Sequence, residues 1–280
     1  MHEITGKEIL TENTVSLRIR APEIAAKAAA GQFVIVRAGE EDERIPLTIA
    51  DYDRGKGTLT LVVQEAGYST KKLARLEAGD EMMDVAGPLG NPSEITKAGT
   101  VVCVGGGVGI APVFPLARAF LEAGNAVTAV LAARTGGLVF WEDKFRQAGI
   151  KVLVYTDDGS YGTKGLATDA LEDMIAKGSR PALVVAVGPA VMMKAVSLQT
   201  KKHGIRTIVS LNPIMVDGTG MCGGCRVTVG GRTYFACVDG PEFDGHQVDF
   251  DELISRQRFY VEEEKKCMGK NCKLSSALGS

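Results

Sequence analysis

The stretch Val101-Val102-Cys103-Val104, followed at once by Gly105-Gly106-Gly107-Val108-Gly109-Ile110-Ala111-Pro112, fixes the reading of this chain. A short run that is apolar at every position belongs to a strand covered on both faces. The glycines after it let backbone N–H groups approach a ligand with no Cβ in the way. Where a helix opens next, its N-terminus offers partial positive charge to a pyrophosphate. The spacing does not satisfy G-x-G-x-x-G, so the usual dinucleotide fingerprint is absent, and a tight turn that binds nothing is the bland alternative. Four glycines in five positions exceed what such a turn needs, which favours a nucleotide loop.

Downstream the texture repeats. Apolar runs at Ala126 to Leu131, Lys151 to Tyr155 and Ala182 to Val187 alternate with helical spacing over Val113 to Ala123 and Leu166 to Lys177, which predicts a parallel α/β sheet. Two further turns fall at strand ends, Thr156-Asp157-Asp158-Gly159-Ser160-Tyr161-Gly162 and Gly188-Pro189-Ala190-Val191-Met192. Ligands of open α/β sheets sit beyond the carboxyl ends of the strands. Asp157, Asp158, Gly159, Gly188, Pro189 and Met192 therefore join Gly105, Gly106, Gly107, Val108, Gly109 and Pro112 as candidates for one nucleotide site, although Met192-Met193 also reads as core packing.

Upstream of about Asp84 the runs are short and alternating, as in Val15-Ser16-Leu17-Arg18-Ile19 and Thr58-Leu59-Thr60-Leu61-Val62-Val63, with charged and Gly-rich turns between them. This predicts a small antiparallel barrel or sandwich. Gly87-Pro88-Leu89-Gly90-Asn91-Pro92 is dense in breakers and reads as the end of that domain. Within it, Arg44-Ile45-Pro46-Leu47-Thr48 starts a strand, where a guanidinium suits a diphosphate and a Thr hydroxyl or backbone N–H suits a polar ring edge. Gly67-Tyr68-Ser69-Thr70 precedes a helix over Lys71 to Leu76 whose N-terminus suits the same diphosphate. A surface arginine and an ordinary Ser/Thr cap are the competing reading.

Composition narrows the classes. A chain of 280 residues, 45% hydrophobic, suits roughly two domains with buried cores. Lys+Arg of 32 against Asp+Glu of 34 leaves no basic field, which argues against nucleic acid or an anionic membrane surface as partner. No apolar run approaches the ~20 residues of a membrane span. The start, MHEITGKEIL, has no signal-peptide pattern, so a cytoplasmic location is expected. In a reducing compartment, clustered thiols are more often metal ligands or redox groups than disulfides.

The thiols do cluster. Cys222-Gly223-Gly224-Cys225 is followed by Cys237, with Gly218 and Gly220 close by. A plant-type [2Fe-2S] site has C-x4-C-x2-C and a distant fourth Cys. Cys222, Cys225 and Cys237 match three positions, and Asp217 stands where the leading Cys should be. A carboxylate is a harder iron ligand than thiolate and alters the cluster's potential. Alternatives stay open: Asp217-Gly218 as a plain turn with His246, Cys267 or Cys272 as fourth ligand, a structural zinc site, or unligated buried thiols. Cys103, inside a strand, reads as a core hydrophobe, and Cys267 and Cys272 read as non-functional thiols in a loosely ordered polar tail.

Arg44-x-Pro46-Leu47-Thr48, Gly67-x-Ser69-Thr70, the Gly105 to Pro112 loop and Gly188-Pro189-x-x-Met192 occur in the order found in the ferredoxin-NADP reductase superfamily, which the first 210 or so residues resemble. The resemblance implies an FAD-binding β-barrel over 1–98 and an NAD(P)-binding α/β domain over 99–211. An iron-sulfur segment over 212–247 and a C-terminal helix and tail over 248–280 complete the expected organisation. With the cysteine segment added, the chain resembles the electron-transfer subunits of dihydroorotate dehydrogenase and their relatives. Those include the small subunits of NADH-dependent ferredoxin-NADP oxidoreductases, also described as sulfide dehydrogenase beta subunits, in which Asp-plus-three-Cys ligation matches Asp217, Cys222, Cys225 and Cys237.

That branch implies FAD, NAD(H) and a [2Fe-2S] cluster, hydride transfer to flavin beside Thr48, and single electrons passed onward. It also implies a larger flavin subunit with [4Fe-4S] clusters, with ferredoxin served through the complex. Arg134, after the second parallel strand, suits a 2′-phosphate and leans towards NADP, whereas the resemblance points to NAD(H). Two other functions remain as expectations to be tested: a dihydroorotate dehydrogenase subunit, and a nucleotide-sensing module with structural zinc.

Overall fold

The computed structural model describes residues 1–262, so Cys267, Cys272 and the polar tail lie outside the described residues. The N-terminal strands are β1 (His2–Thr11), β2 (Thr14–Arg20), β3 (Phe33–Arg37), β4 (Ile45–Asp53), β5 (Thr58–Gln64), β6 (Glu81–Met82) and β7 (Asp84–Leu89), with two short helices, α1 (Pro22–Lys27) and α2 (Tyr68–Ala74). They form one antiparallel sheet of seven strands in the order β6-β1-β2-β5-β4-β3-β7. Its two edge strands, β6 and β7, are separated in sequence only by Met83, so the sheet must curl round until its edges nearly meet. The period-2 pattern sends Leu17, Ile19, Leu59, Leu61 and Val63 inward, where they are almost completely buried with Ile4, Val34, Val36 and Ile49.

The breaker-dense stretch from Gly87 to Pro92 holds the end of β7, the last strand of this sheet, which pairs with β3 through Ile35↔Ala86 and Phe33↔Leu89. Proline lacks an N–H donor, and an edge strand with an irregular register beside Phe33 is where that loss is tolerated.

The second layer holds β8 (Thr100–Gly106), α3 (Ile110–Glu122), β9 (Ala126–Ala133), α4 (Glu142–Gln147), β10 (Lys151–Thr156), β11 (Thr163–Lys164), α5 (Ala167–Ala176), β12 (Leu183–Val187), α6 (Ala190–Lys202) and β13 (Arg206–Ser210). The strands run parallel in the order β11-β10-β9-β8-β12-β13. Strand order reverses between β8 and β12, which opens a crevice at their carboxyl ends. The fully apolar runs are doubly covered as expected: Val101, Val102, Cys103 and Val104 are all at 0% exposure. The sequence reading missed β13, α4 and α6.

The remaining chain forms the hairpin β14 (Arg226–Val229) and β15 (Arg232–Phe235), then α7 (Ala236–Asp239), β16 (Glu242–Asp244) and α8 (Phe250–Gln257), the last capped by the Asp249 carboxylate accepting from the Glu252 N–H at 2.9 Å. β16 adds an antiparallel edge to β13, and Cys225, Val227, Ala236 and Cys237 share one hydrophobic core with Val104, Val184, Val209, Phe33 and Ile35. The cysteine segment thus completes the core of the other two parts. Among the described residues no helix is long and apolar enough to cross a membrane.

Two glycines of the loop do different work. A Cβ on Gly109 would lie 2.2 Å from the Val187 carbonyl oxygen of β12, whereas a Cβ on Gly107, at φ +56°, would meet nothing within 4 Å. Gly109→Ala is therefore expected to destabilise the fold by about 1–3 kcal/mol through forced displacement. Gly107→Ala should cost about 1–2 kcal/mol, from left-handed backbone strain alone. Denaturant unfolding of both variants distinguishes the causes, because Gly107→Asn should recover part of the loss and Gly109→Asn should not.

Glu242 on β16 accepts a 2.6 Å hydrogen bond from Ser93 Oγ, and its Oε1 would lie 3.0 Å from a Cβ placed on Gly31. Burial raises its carboxyl above the usual range, while the Ser93 bond opposes that rise. A carboxyl raised in the folded state contributes most stability at low pH and loses it as pH climbs through the folded value. Glu242→Gln, which does not titrate, should match the native chain in acid and exceed its melting temperature at neutral pH.

Candidate functional site

A cleft of 890 Å³ separates the barrel from the α/β layer. Pro46, Leu47 and Thr48 of β4 line one wall, with Phe33 of β3 beside them; Gly106, Gly107, Val108, Gly109 and Pro112 line the other, together with Gly188, Pro189 and Met192. Arg134 and Asp157 reach it from the ends of β9 and β10. Thr48 faces Phe33 across the β3–β4 ladder, so strand pairing fixes the Pro46–Thr48 wall. The opposite wall depends on close loop packing: a Cβ on Gly106 would fall 2.3 Å from Met192 Sδ, and one on Gly188 would fall 2.9 Å from Met192 Cε. Met193, by contrast, is wholly buried core, so the Met192-Met193 pair divides between the two readings.

Not every candidate reaches this cleft. Gly105 is buried inside β8, where a Cβ would lie 2.8 Å from Ile110 Cα, so it serves helix–strand packing. Asp158 closes a turn by accepting from the Ser160 N–H at 2.9 Å and Oγ at 2.7 Å, and these bonds, the backbone one first, lower its carboxyl; Gly159 follows it at φ +77°. Arg44 is exposed. Ser69 Oγ donates to Glu43, and Thr70 Oγ1 accepts from the Ala66 and Gly67 N–H groups at 3.0 and 2.9 Å, the reciprocal half of a helix cap. Gly67 itself has open space where a Cβ would go.

The cleft also contains residues that sequence reading did not single out: Asn13, Gln64, the run Ser210-Leu211-Asn212-Pro213 after β13, Met215 and Pro241. Recognising Arg206-Thr207-Ile208-Val209-Ser210 as a strand would have placed the Leu211–Pro213 loop here by the same strand-end rule. Pro241 follows Cys237 by four residues, so the cysteine segment itself borders the cleft.

The cysteines fall into two settings. Cys225 and Cys237 are each 1% exposed, with their sulfurs 3.2 Å apart. Burial, followed by the Cys225 hydrogen bond and charge, pushes the Cys237 thiol up to about 12, and the nearby Asp217 charge adds to the rise. Cys222 is exposed; its sulfur accepts from the Gly224 N–H at 3.4 Å and its own N–H donates to Asp217 Oδ2 at 2.8 Å. Asp217 Oδ1 accepts from the Thr219 N–H at 3.0 Å, and the Thr219 and Cys222 backbone bonds lower its carboxyl, keeping it anionic. The loop that bends these residues together uses left-handed glycines at Gly218, Gly220 and Gly223.

Three sulfurs and one carboxylate, two of the sulfurs in contact and the carboxylate hydrogen-bonded to the third Cys, are a donor set that suits an iron-sulfur cluster. Binding metal would displace the thiol protons. Among the described residues no three of these side chains are already closed into a coordination sphere. His246 is engaged elsewhere, its Nε2 lying 3.1 Å from Thr200 Oγ1 on α6.

The sequence profile of an oxidoreductase NAD-binding domain matches residues 103–198, and that of the iron-sulfur cluster binding domain of dihydroorotate dehydrogenase B matches 212–249. A dihydroorotate dehydrogenase B (NAD(+)) electron transfer subunit homolog of Thermotoga maritima is 49% identical over 265 residues, covering 95% of this chain and 93% of its own length. An uncharacterized protein from the adh 3′ region of Clostridium beijerinckii is 49% identical over 274 residues, covering 95% and 93%. A solved chain of an NADH-dependent reduced ferredoxin-NADP oxidoreductase superposes with a TM-score of 0.92 at 47% identity, over 98% of both chains. The chain belongs to the family of dihydroorotate dehydrogenase B electron-transfer subunits in the ferredoxin-NADP reductase superfamily, oxidoreductases that join NAD(H), FAD and an iron-sulfur cluster.

Proposed function

We propose that this chain is the small subunit of a ferredoxin- and NADP-linked transhydrogenase, with FAD against β4, a nicotinamide nucleotide against the β8 and β12 loops, and a [2Fe-2S] cluster on Asp217, Cys222, Cys225 and Cys237. The observation that carries this reading is that three segments share one cleft: the Thr48 strand, the glycine loop and the Pro241 end of the cysteine segment. FAD bound there supplies both two-electron exchange with a nicotinamide and single-electron exchange with a cluster.

The chain's own residues bind, orient and exclude water. The first turn of α3 and the Gly106–Gly109 backbone present N–H groups to a pyrophosphate. Pro46, Leu47 and Phe33 exclude water beside Thr48, whose hydroxyl and backbone orient the ring. Arg134, exposed at the rim, meets the ribose. Buried Cys225 and Cys237, with Asp217 and exposed Cys222, would hold the cluster, whose potential would respond to the oxygen ligand and to solvent at Cys222. No acid-base constellation is needed, because the cofactors carry the chemistry.

A larger partner subunit, with flavin and [4Fe-4S] clusters, fits the surface around the outer ligands. Met221 is 88% exposed, Val216 52% and Val238 41%, an apolar rim around Cys222 and Asp217. Asp217, standing where four-cysteine sites have a thiol, is the residue that favours this reading over a dihydroorotate-oxidising complex.

Asp217→Cys is expected to keep iron and sulfide while shifting the visible spectrum and potential; an unchanged spectrum would remove Asp217 from the ligand set. Anaerobic co-purification identifies the partner: a flavin and [4Fe-4S] protein supports the proposal, and a dihydroorotate-oxidising flavoprotein overturns it. Met221→Asp should weaken co-elution of that partner without lowering the iron content of this chain, and undiminished co-elution would move the docking surface elsewhere.

A further inference from the structure

A second groove, of 1380 Å³, also runs between the barrel and the α/β layer, and Asp51 of β4 stands in it. One Asp51 oxygen accepts from Arg118 Nη1 of α3 at 2.8 Å, and the other accepts from Lys144 Nζ of α4 at 2.8 Å. The three side chains are 19%, 27% and 30% exposed, so solvent and salt screen them less than a surface pair. Both cations are also held by aromatic faces. Arg118 lies 5.5 Å from the Tyr52 ring and 5.3 Å from Phe114, and Lys144 lies 4.3 Å from Phe114 and 3.9 Å from Trp141.

Two backbone irregularities aim these groups. The β4–β5 register shifts between Ile49 and Asp51, the kind of bulge that redirects a side chain. Trp141, just before α4, is the one non-glycine residue at positive φ among the described residues, at +61°. A bulky residue held there is strained and persists only where its surroundings over-determine it.

The elements joined are those that form the cofactor cleft. β4 carries Thr48 three residues before Asp51, and α3 opens at Ile110 directly after the glycine loop. We propose that Asp51 is a positioning residue that sets the Thr48 strand against the glycine loop, by holding Arg118 and Lys144 at once. This rests on the flavin–nicotinamide reading of the cleft. Burial already lowers Lys144, Asp51 opposes that shift and Arg118 reinforces it, so removing the Asp51 charge takes away the barrel's hold on both cations and leaves them repelling each other on the α/β side of the groove, offset only in part by Glu122, 4.0 Å from Arg118, and by the Glu8 charge. The reaction thus gated is NADH + FAD + H⁺ giving NAD⁺ and FADH₂. A displacement of about 1 Å between its partners costs on the order of 100-fold in rate.

The test compares Asp51→Asn and Asp51→Glu with the native full chain. Lys194→Ala, which breaks the exposed Lys194–Asp251 pair, serves as control. In stopped flow under anaerobic conditions, Asp51→Asn should slow flavin reduction by NADH about 10- to 100-fold, with dithionite reduction and FAD affinity unchanged and Asp51→Glu largely restored. A readout independent of flavin is available because Trp141 is the single tryptophan, so its emission in the flavin-free chain should shift in Asp51→Asn and stay fixed in Lys194→Ala. A native NADH rate in Asp51→Asn overturns the proposal. So does a parallel loss of FAD affinity and dithionite reduction, which marks a purely structural role. A native chain that binds no flavin would overturn the redox reading itself, before any variant is compared, and the Trp141 emission would still report the clamp.

Discussion

The cofactor cleft depends on the contact of Gly109 with Val187 and Gly188, where the start of α3 lies directly on the end of β12 with no side chain between them. β8 and β12 are hydrogen-bonded neighbours whose connecting helices leave in different directions, so a crevice opens at their carboxyl ends. Any Cβ at position 109 would push α3 off β12 and the glycine loop out of that crevice. The same helix delivers Arg118 to Asp51, so this backbone contact also governs how the α/β layer meets the barrel.

The cysteine segment depends on the other two parts. Cys225 and Cys237 belong to a core that includes Val184 and Val209 of the sheet and Phe33 and Ile35 of the barrel. Gly218 packs so tightly that a Cβ there would come within 2.8 Å of both Ile35 and Leu89. The relation of the thiols to the cleft is therefore set by side-chain packing, which is close to crystalline density and resists gradual deformation. The four candidate ligands are asymmetric as a result: two thiols lie in the apolar core, while Asp217 and Cys222 sit at the surface under a rim of exposed Met221 and Val216.

What could be read from the sequence was what leaves a local mark. The central strands β8, β9, β10 and β12 are legible because burial on both faces makes every position apolar. β13 alternates, with Arg206 exposed and Thr207 buried, and was missed, and with it the Leu211–Pro213 wall of the cleft. The breaker-dense stretch around Pro88 coincides with the end of the barrel's last strand at Leu89, and β7 accommodates the proline because it is a sheet edge. The glycine loop, the Pro46–Thr48 strand and the Gly188–Met192 turn each carry a local signal and line one cleft, while Gly105 packs against the start of α3 and Asp158 closes its own turn. The Asp51 clamp left no local signal, since Arg118 lies 67 residues from Asp51 and no spacing rule links them. Cys267 and Cys272 lie outside the described residues.

Nicotinamide, flavin and iron-sulfur chemistry meet in this single chain, and the roles of the cleft and of the thiols both depend on that. Anaerobic purification of the full chain, with metal and flavin analysis followed by a visible-spectrum titration with NADH, measures it most directly. The predicted result is a coloured protein containing FAD and equal amounts of iron and sulfide, whose flavin and cluster absorption both bleach on NADH addition. A colourless protein with stoichiometric zinc, or a flavin that NADH leaves oxidised, would contradict it.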